Sequence, residues 1–133
     1  MIGFVYQIYI KEELVYIGYS TNLISRFITH LSLARRGTGH YNYNFYLAIN
    51  GELANGRAPE IKITYVGPKQ RAQIKELEDI ERFNPKYNLH YSKRINSKRR
   101  YRKIEKRDYS RLVRVVKANI EFELNKHKSG VCG

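Results

Sequence analysis

Cysteine is almost missing from this 133-residue chain: Cys132 is the only one, one residue from the end. A single thiol forms neither a disulfide framework nor a cysteine zinc site within one chain, so redox chemistry and a disulfide-stapled fold are set aside. Long hydrophobic runs are missing too. No apolar stretch approaches the roughly 20 residues of a membrane span, and the opening Met1-Ile2-Gly3-Phe4 has neither the basic start nor the small-residue cleavage site of a signal peptide. A cytoplasmic location is expected. No internal repeat is visible, and no long polar tract interrupts the first 90 residues. With 42% hydrophobic residues, the chain has material for one small domain with a modest core.

Acidic residues are also scarce: 12 Asp+Glu stand against 25 Lys+Arg, a formal net charge of +13. The excess is uneven. Residues 1–90 carry 11 basic and 8 acidic side chains, a difference of +3, whereas residues 91–133 carry 14 and 4, a difference of +10. A basic appendage on a nearly balanced domain points to a polyanion partner. With no lipidation signal or membrane span, nucleic acid fits best.

The organised part begins at once. Phe4, Tyr6, Ile8 and Ile10 alternate with Val5, Gln7 and Tyr9, and Leu14, Tyr16 and Gly18 alternate with Val15 and Ile17, the period of strands. Lys11-Glu12-Glu13 between them is short enough for a hairpin loop, so the strands should be antiparallel neighbours. In a symmetric register Tyr6 and Tyr16 share a face. After Gly18, Ser20 or Thr21 can cap a helix whose apolar residues Leu23, Ile24, Phe27, Ile28 and Leu31 recur at helical spacing. Asn22, Arg26 and His30 then form a polar row at i, i+4 and i+8, expected to be addressable from solvent. Arg35-Arg36-Gly37 should end that helix, the glycine serving as a left-handed cap.

A second helix is expected from about Tyr41 to Ile49, a surface element with one packed side. Asn50-Gly51 and Asn55-Gly56 read as turn signals, and Glu60 to Val66 reads as a third strand ended by Gly67-Pro68. From about Lys69 to Phe83 a helix places Ala72, Glu76, Ile80 and Phe83 on one stripe, with Glu78, Asp79 and Glu81 facing elsewhere. Its Glu76 interrupts an apolar row and should be partly desolvated. Asn84-Pro85 stops this helix. The next segment is too basic and too poor in large apolar residues to fold alone. From about Tyr109, Leu112, Val116, Ile120 and Leu124 recur at i+4, an amphipathic helix whose stripe must bury against the first domain or against a second copy in a homodimer. Lys126 to Gly133 is expected to be disordered.

Val15-Tyr16-Ile17-Gly18, preceded by Phe4-Val5-Tyr6 and followed by Arg26 and His30, resembles the GIY-YIG nuclease family. The first motif departs from the name: Phe4 replaces its glycine and Val5 its isoleucine, while the tyrosine is kept. Glu76, nine residues before Pro85 and twelve before Asn88 in ELEDIERFNPKYNL, resembles the family's late glutamate and its Pro-x-x-Asn terminus. Tyr19 stands where many relatives carry lysine. The matching positions span roughly residues 1–90.

This resemblance implies an α+β fold, a small three-stranded antiparallel sheet flanked by helices over residues 1–90; charge and periodicity add residues 91–133 as a basic arm and C-terminal amphipathic helix. It implies a phosphodiester hydrolase acting on DNA, an endonuclease with Glu76 as the ligand of one Mg²⁺ (or Mn²⁺). Its phage members would work in the host cytoplasm. Arg26, with its fork of donors, is the natural clamp on the scissile phosphate. By resemblance Tyr6 accepts the proton of the attacking water and Tyr16 holds the phosphate or the water shell of the ion; the opposite assignment stays open. A tyrosine has a reference pKa of about 10, so acting as a base near pH 7 takes about 3 units, ~4 kcal/mol, from nearby positive charge, with Arg26, the ion and His30 as candidate sources. His30 can instead take the proton itself or bond a phosphate. Gly18 belongs to the second motif, His40 precedes a helix start within reach of the substrate backbone, and the Asn88 amide ties the end of the domain to the site. Lys93, Arg94, Lys98, Arg99, Arg100, Arg102, Lys103, Lys106 and Arg107 form the segment expected to track phosphates of double-stranded DNA. The alternative is a noncatalytic nucleic-acid-binding module on the same scaffold.

Overall fold

The computed structural model describes residues 1–37, 42–88 and 101–130. Its elements are β1 (Ile2–Ile10), β2 (Glu13–Ser20), α1 (Leu23–Arg36), α2 (Tyr43–Ala54), β3 (Glu60–Pro68), α3 (Lys69–Phe83) and α4 (Lys106–Gly130). The fold is α+β, an open antiparallel sheet in the order β2-β1-β3. Among the described residues no helix is long and apolar enough to cross a membrane.

The hairpin reaches the expected facing of its tyrosines by an unexpected route. Lys11 and Glu12 both have positive φ, 50° and 67°, so they form a two-residue turn of the kind that matches strand twist. Ordinary side chains in that conformation cost about 1–2 kcal/mol each. A simple two-residue hairpin would pair Gln7 with Tyr16 and send the two tyrosines to opposite faces. Instead the register shifts between Ile8 and Tyr9: Tyr9 pairs with Leu14 and Ile8 with Tyr16, leaving Val15 as the extra residue of a bulge. Tyr6 then opposes Gly18, and Tyr6 and Tyr16 lie on the same face.

That face carries the main core. Tyr6, Ile8, Ile61 and Ile63 pack there with Phe27 and Leu31 of α1, Phe45 and Ile49 of α2, and Leu112, Val116 and Ile120 of α4. The opposite face is thinner, with Val5 and Ile17 against Ala72 of α3. The apolar stripe of α4 is therefore buried on its own chain. Ile120→Ala should cost about 2–5 kcal/mol of unfolding free energy, as a fully buried aliphatic truncation does, read from urea titration followed by circular dichroism. A loss below about 0.5 kcal/mol would show that α4 does not share the core, since that is the range of ordinary surface changes.

Both edges of the sheet are closed by side-chain amides. On the β2 edge, Asn88 Nδ2 donates to Ile17 O and its Oδ1 accepts from Ile17 N, both at 2.7 Å, while Tyr87 N donates to Val15 O. On the β3 edge, Asn119 of α4 does the same to Ile61. One turn on, Glu123 Oε1 accepts from Ile63 N at 3.0 Å and His127 Nε2 donates to Ile63 O. These bonds satisfy backbone groups that would otherwise invite another strand. Burial works to raise the Glu123 carboxyl, but the Lys126 ammonium, the Ile63 amide and His127 outweigh it and hold the pKa below the usual value.

Several local expectations are corrected by these contacts. Asn22, not Ser20 or Thr21, caps α1, accepting from Ser25 N at 3.1 Å; Ser20 Oγ instead accepts from Asn22 N. The second helix runs from Tyr43 through Asn50-Gly51 to Ala54, because Asn50 is buried and bonds Ala34 O and both Arg102 backbone groups. Asn55-Gly56 is the turn that holds. The last helix starts at Lys106 and continues to Gly130, since its final turns supply Glu123 and His127 to β3. Gly37, at φ 67°, caps α1 as expected, and a side chain there would collide with the Tyr101 ring.

Candidate active site

Tyr6 is the centre of the arrangement. Its side chain is fully buried, its ring packs edge-on against Phe27 at 4.7 Å, and it passes directly over Gly18. A Cβ added to Gly18 would collide with Cζ and Oη of Tyr6. The glycine is therefore required by close approach: it lets the tyrosine reach across β2 toward α1.

At the end of that reach two groups bond the Tyr6 hydroxyl, and two more act on it by charge. The Arg26 guanidinium donates a hydrogen bond to it, and His30 Nε2 lies 2.9 Å away. Tyr16 comes from the same sheet face, its ring 6.2 Å from that of Tyr6 and stacked on Phe45 at 4.5 Å. Glu76, from α3, is close enough for its charge to act on the same hydroxyl. Four elements, β1, β2, α1 and α3, thus contribute the expected Tyr6, Tyr16, Arg26 and Glu76 to one place.

The electrostatics differ from expectation. Burial, reinforced by Tyr16 and Glu76, raises the Tyr6 pKa well above 10, more than the Arg26 hydrogen bond and charge lower it. In the free chain Tyr6 is a neutral phenol at neutral pH. His30 was expected on a solvent-facing row and as a source of positive charge; it is neither. It is 3% exposed, because α2 packs over this side of α1 and sets Phe45 and Tyr46 against it, beside Phe27 of α1 itself. Burial first, then the Arg26 charge, lowers its pKa from 6.5 to about 3.

The unfolded chain takes up a proton on His30 below about pH 6.5, whereas the folded chain does so only near 3. Stability is full above about 6.5 and falls as pH is lowered toward the folded value, by up to ~1.4 kcal/mol per pH unit. Between pH 7 and pH 5 the loss attributable to His30 should be on the order of 2 kcal/mol. The difference between wild type and His30→Gln in urea titrations at the two pH values isolates it from the other histidines. Identical pH dependence of the two proteins would contradict a buried neutral His30.

On α3 the expected stripe is only half realised: Ala72 is buried, Glu76 and Ile80 are half-buried, and Phe83 is 46% exposed. Asp79, expected to face elsewhere, is buried and paired with Lys75 at 3.1 Å. Among the described residues no cluster of three or more His, Cys, Asp or Glu is assembled for a metal. Glu76 is a single half-buried carboxylate, and such a donor fits Mg²⁺, which takes one or two protein carboxylates and fills its shell with water and substrate oxygens. Two contributors were not anticipated: Phe45, which stacks on Tyr16, and Tyr46, whose hydroxyl lies 3.0 Å from His30 Nδ1. The run of aromatics from Tyr41 to Tyr46 was the available signal, read as surface. Arg102, Lys103, Lys106 and Arg107 are exposed, while His40, Lys93, Arg94, Lys98, Arg99 and Arg100 lie outside the described residues. Compared with known proteins, the chain matches no family model, no curated protein and no solved structure.

Proposed function

We propose that the chain is a Mg²⁺-dependent DNA endonuclease of the GIY-YIG type. The observation that carries this reading is the gathering of Tyr16 of β2, Arg26 and His30 of α1 and Glu76 of α3 around Tyr6 of β1. A purely structural cluster has no use for an arginine and a carboxylate acting on a buried phenol.

Phosphodiester hydrolysis needs an activated water, stabilisation of charge on the phosphate oxygens, and departure of the 3′ oxygen. Arg26 supplies donors for the phosphate oxygens where charge accumulates. Tyr16, only partly buried, is the tyrosine that substrate reaches first and holds the phosphate. Tyr6 accepts the proton of the attacking water on Oη. Being a neutral phenol, it does so while its own hydrogen moves toward His30 Nε2, and the negative phosphate beside it favours positive charge on the imidazole. The new bond joins the water oxygen to phosphorus, the bond to the 3′ oxygen breaks, and that oxygen takes a proton from solvent. Glu76 would hold the Mg²⁺ or Mn²⁺, which when bound supplies a Lewis acid for the phosphate oxygens. The exposed Arg102, Lys103, Lys106 and Arg107, continuing the basic run from Lys93, would engage the backbone of duplex DNA without reading its sequence.

The test is incubation with supercoiled plasmid in Mg²⁺ and in EDTA. Relaxed or linear product in Mg²⁺ alone is expected. Retention of the plasmid on the protein with no cutting at any Mg²⁺ concentration would favour the noncatalytic nucleic-acid-binding reading instead.

A further inference from the structure

Tyr46 has no part in the chemistry described so far, yet it is buried and its hydroxyl meets the far nitrogen of the site histidine. The contacts form a line: Tyr6 Oη to His30 Nε2 at 2.9 Å, then His30 Nδ1 to Tyr46 Oη at 3.0 Å, linking β1 through α1 to α2. A neutral imidazole has one hydrogen for its two nitrogens, so the line has a direction. Arg26 and burial set it. A guanidinium carries only donors, so its bond takes one lone pair of Tyr6 Oη, and the hydrogen of this fully buried hydroxyl needs an acceptor, which Nε2 at 2.9 Å supplies. Nε2 is then the bare nitrogen and Nδ1 carries the hydrogen, with Tyr46 Oη as its acceptor.

We propose that Tyr46 is a positioning residue for the reaction: by accepting from Nδ1 it locks His30 in the Nδ1–H tautomer, keeping Nε2 open to the Tyr6 hydrogen. Tyr6 thereby turns its remaining lone pair, not its hydrogen, toward the site. The tautomer needs this support because free histidine favours the hydrogen on Nε2, and the bond made at one ring nitrogen decides which tautomer is present. With hydrogen on Nε2, Tyr6 would have to accept from His30 and aim its own hydrogen at the substrate, and it would have no route for shedding a proton. The effect on catalysis rests on the nuclease reading above; the tautomer assignment does not.

Both parts are tested on the full chain labelled with nitrogen-15 at histidine. In the metal-free wild type at pH 7, the long-range proton–nitrogen spectrum should show His30 with a protonated Nδ1 and a bare Nε2. In Tyr46→Phe, which keeps the ring and removes only the acceptor, the pattern should move toward hydrogen on Nε2. The single-turnover cleavage rate of that variant should fall by roughly tenfold to a hundredfold, with DNA affinity and thermal midpoint near wild type. A wild-type spectrum with hydrogen on Nε2 overturns the proposal even if the variant does not fold. So does a folded Tyr46→Phe protein with wild-type tautomer and rate. The Nδ1–H pattern in a wild type that cuts no DNA under any metal condition would sink the nuclease reading while leaving the tautomer assignment in place.

Discussion

Glu76→Ala is expected to give a folded, DNA-binding protein that no longer cuts. Glu76 is the carboxylate whose charge reaches the Tyr6 hydroxyl, and in this account it alone anchors the ion. Loss of several kcal/mol of transition-state stabilisation corresponds to a rate lower by on the order of a thousandfold or more. The fold should barely respond. Glu76 is half-buried in the middle of α3, and alanine is the strongest helix former. DNA affinity, carried by the basic segment, should stay within a few-fold in EDTA. The measurement is single-turnover cleavage at saturating protein beside a thermal melt. A stable Glu76→Ala protein cutting at the wild-type rate in Mg²⁺ would remove the metal assignment.

Gly18→Ala is expected to be nearly as severe for activity and, unlike Glu76→Ala, to cost stability as well. The added methyl collides with Cζ and Oη of Tyr6, and the ring has nowhere to go: it is fully buried, packed on Phe27, and tied by its hydroxyl to Arg26 and His30. Overpacking of this kind costs about 1–3 kcal/mol. A displacement of about 1 Å at a reacting group can lower a rate about 100-fold. The coupling is itself measurable, because trimming the ring removes the clash: in a Tyr6→Leu background the same Gly18→Ala change should cost far less stability, a non-additivity expected only of residues in contact. Equal costs in both backgrounds would mean that Gly18 and Tyr6 are not in the relation seen here.

Much of the fold was legible because its signals are local. Alternation placed the three strands, and Asn84-Pro85 placed the end of α3 at Phe83, where Asn84 takes φ 45°. The facing of Tyr6 and Tyr16 was anticipated, but its mechanism was not: a tight turn at Lys11-Glu12 lacks the usual Asn-Gly signature, and a one-residue bulge leaves no mark on an alternating apolar pattern. The helix through Asn50-Gly51 was hidden for a tertiary reason. Asn50 is held by Ala34 and Arg102, far along the chain, and such bonds override a local turn preference. His30 shows the same limit at the site. Spacing put it beside Arg26, yet whether that side of α1 meets water is decided by α2, whose aromatics read as surface. The clusters that do chemistry were visible as residue types at intervals; their protonation states were not, because those depend on burial made by elements distant in sequence.

Nuclease activity is tested most directly by cleavage of an end-labelled linear duplex at saturating protein with Mg²⁺, followed by chemical identification of the new ends. Departure of the 3′ oxygen predicts a 3′-hydroxyl and a 5′-phosphate at each cut, formed in Mg²⁺ and absent in EDTA. A duplex that is bound but left intact across all Mg²⁺ concentrations, or cut equally well in EDTA, would contradict it.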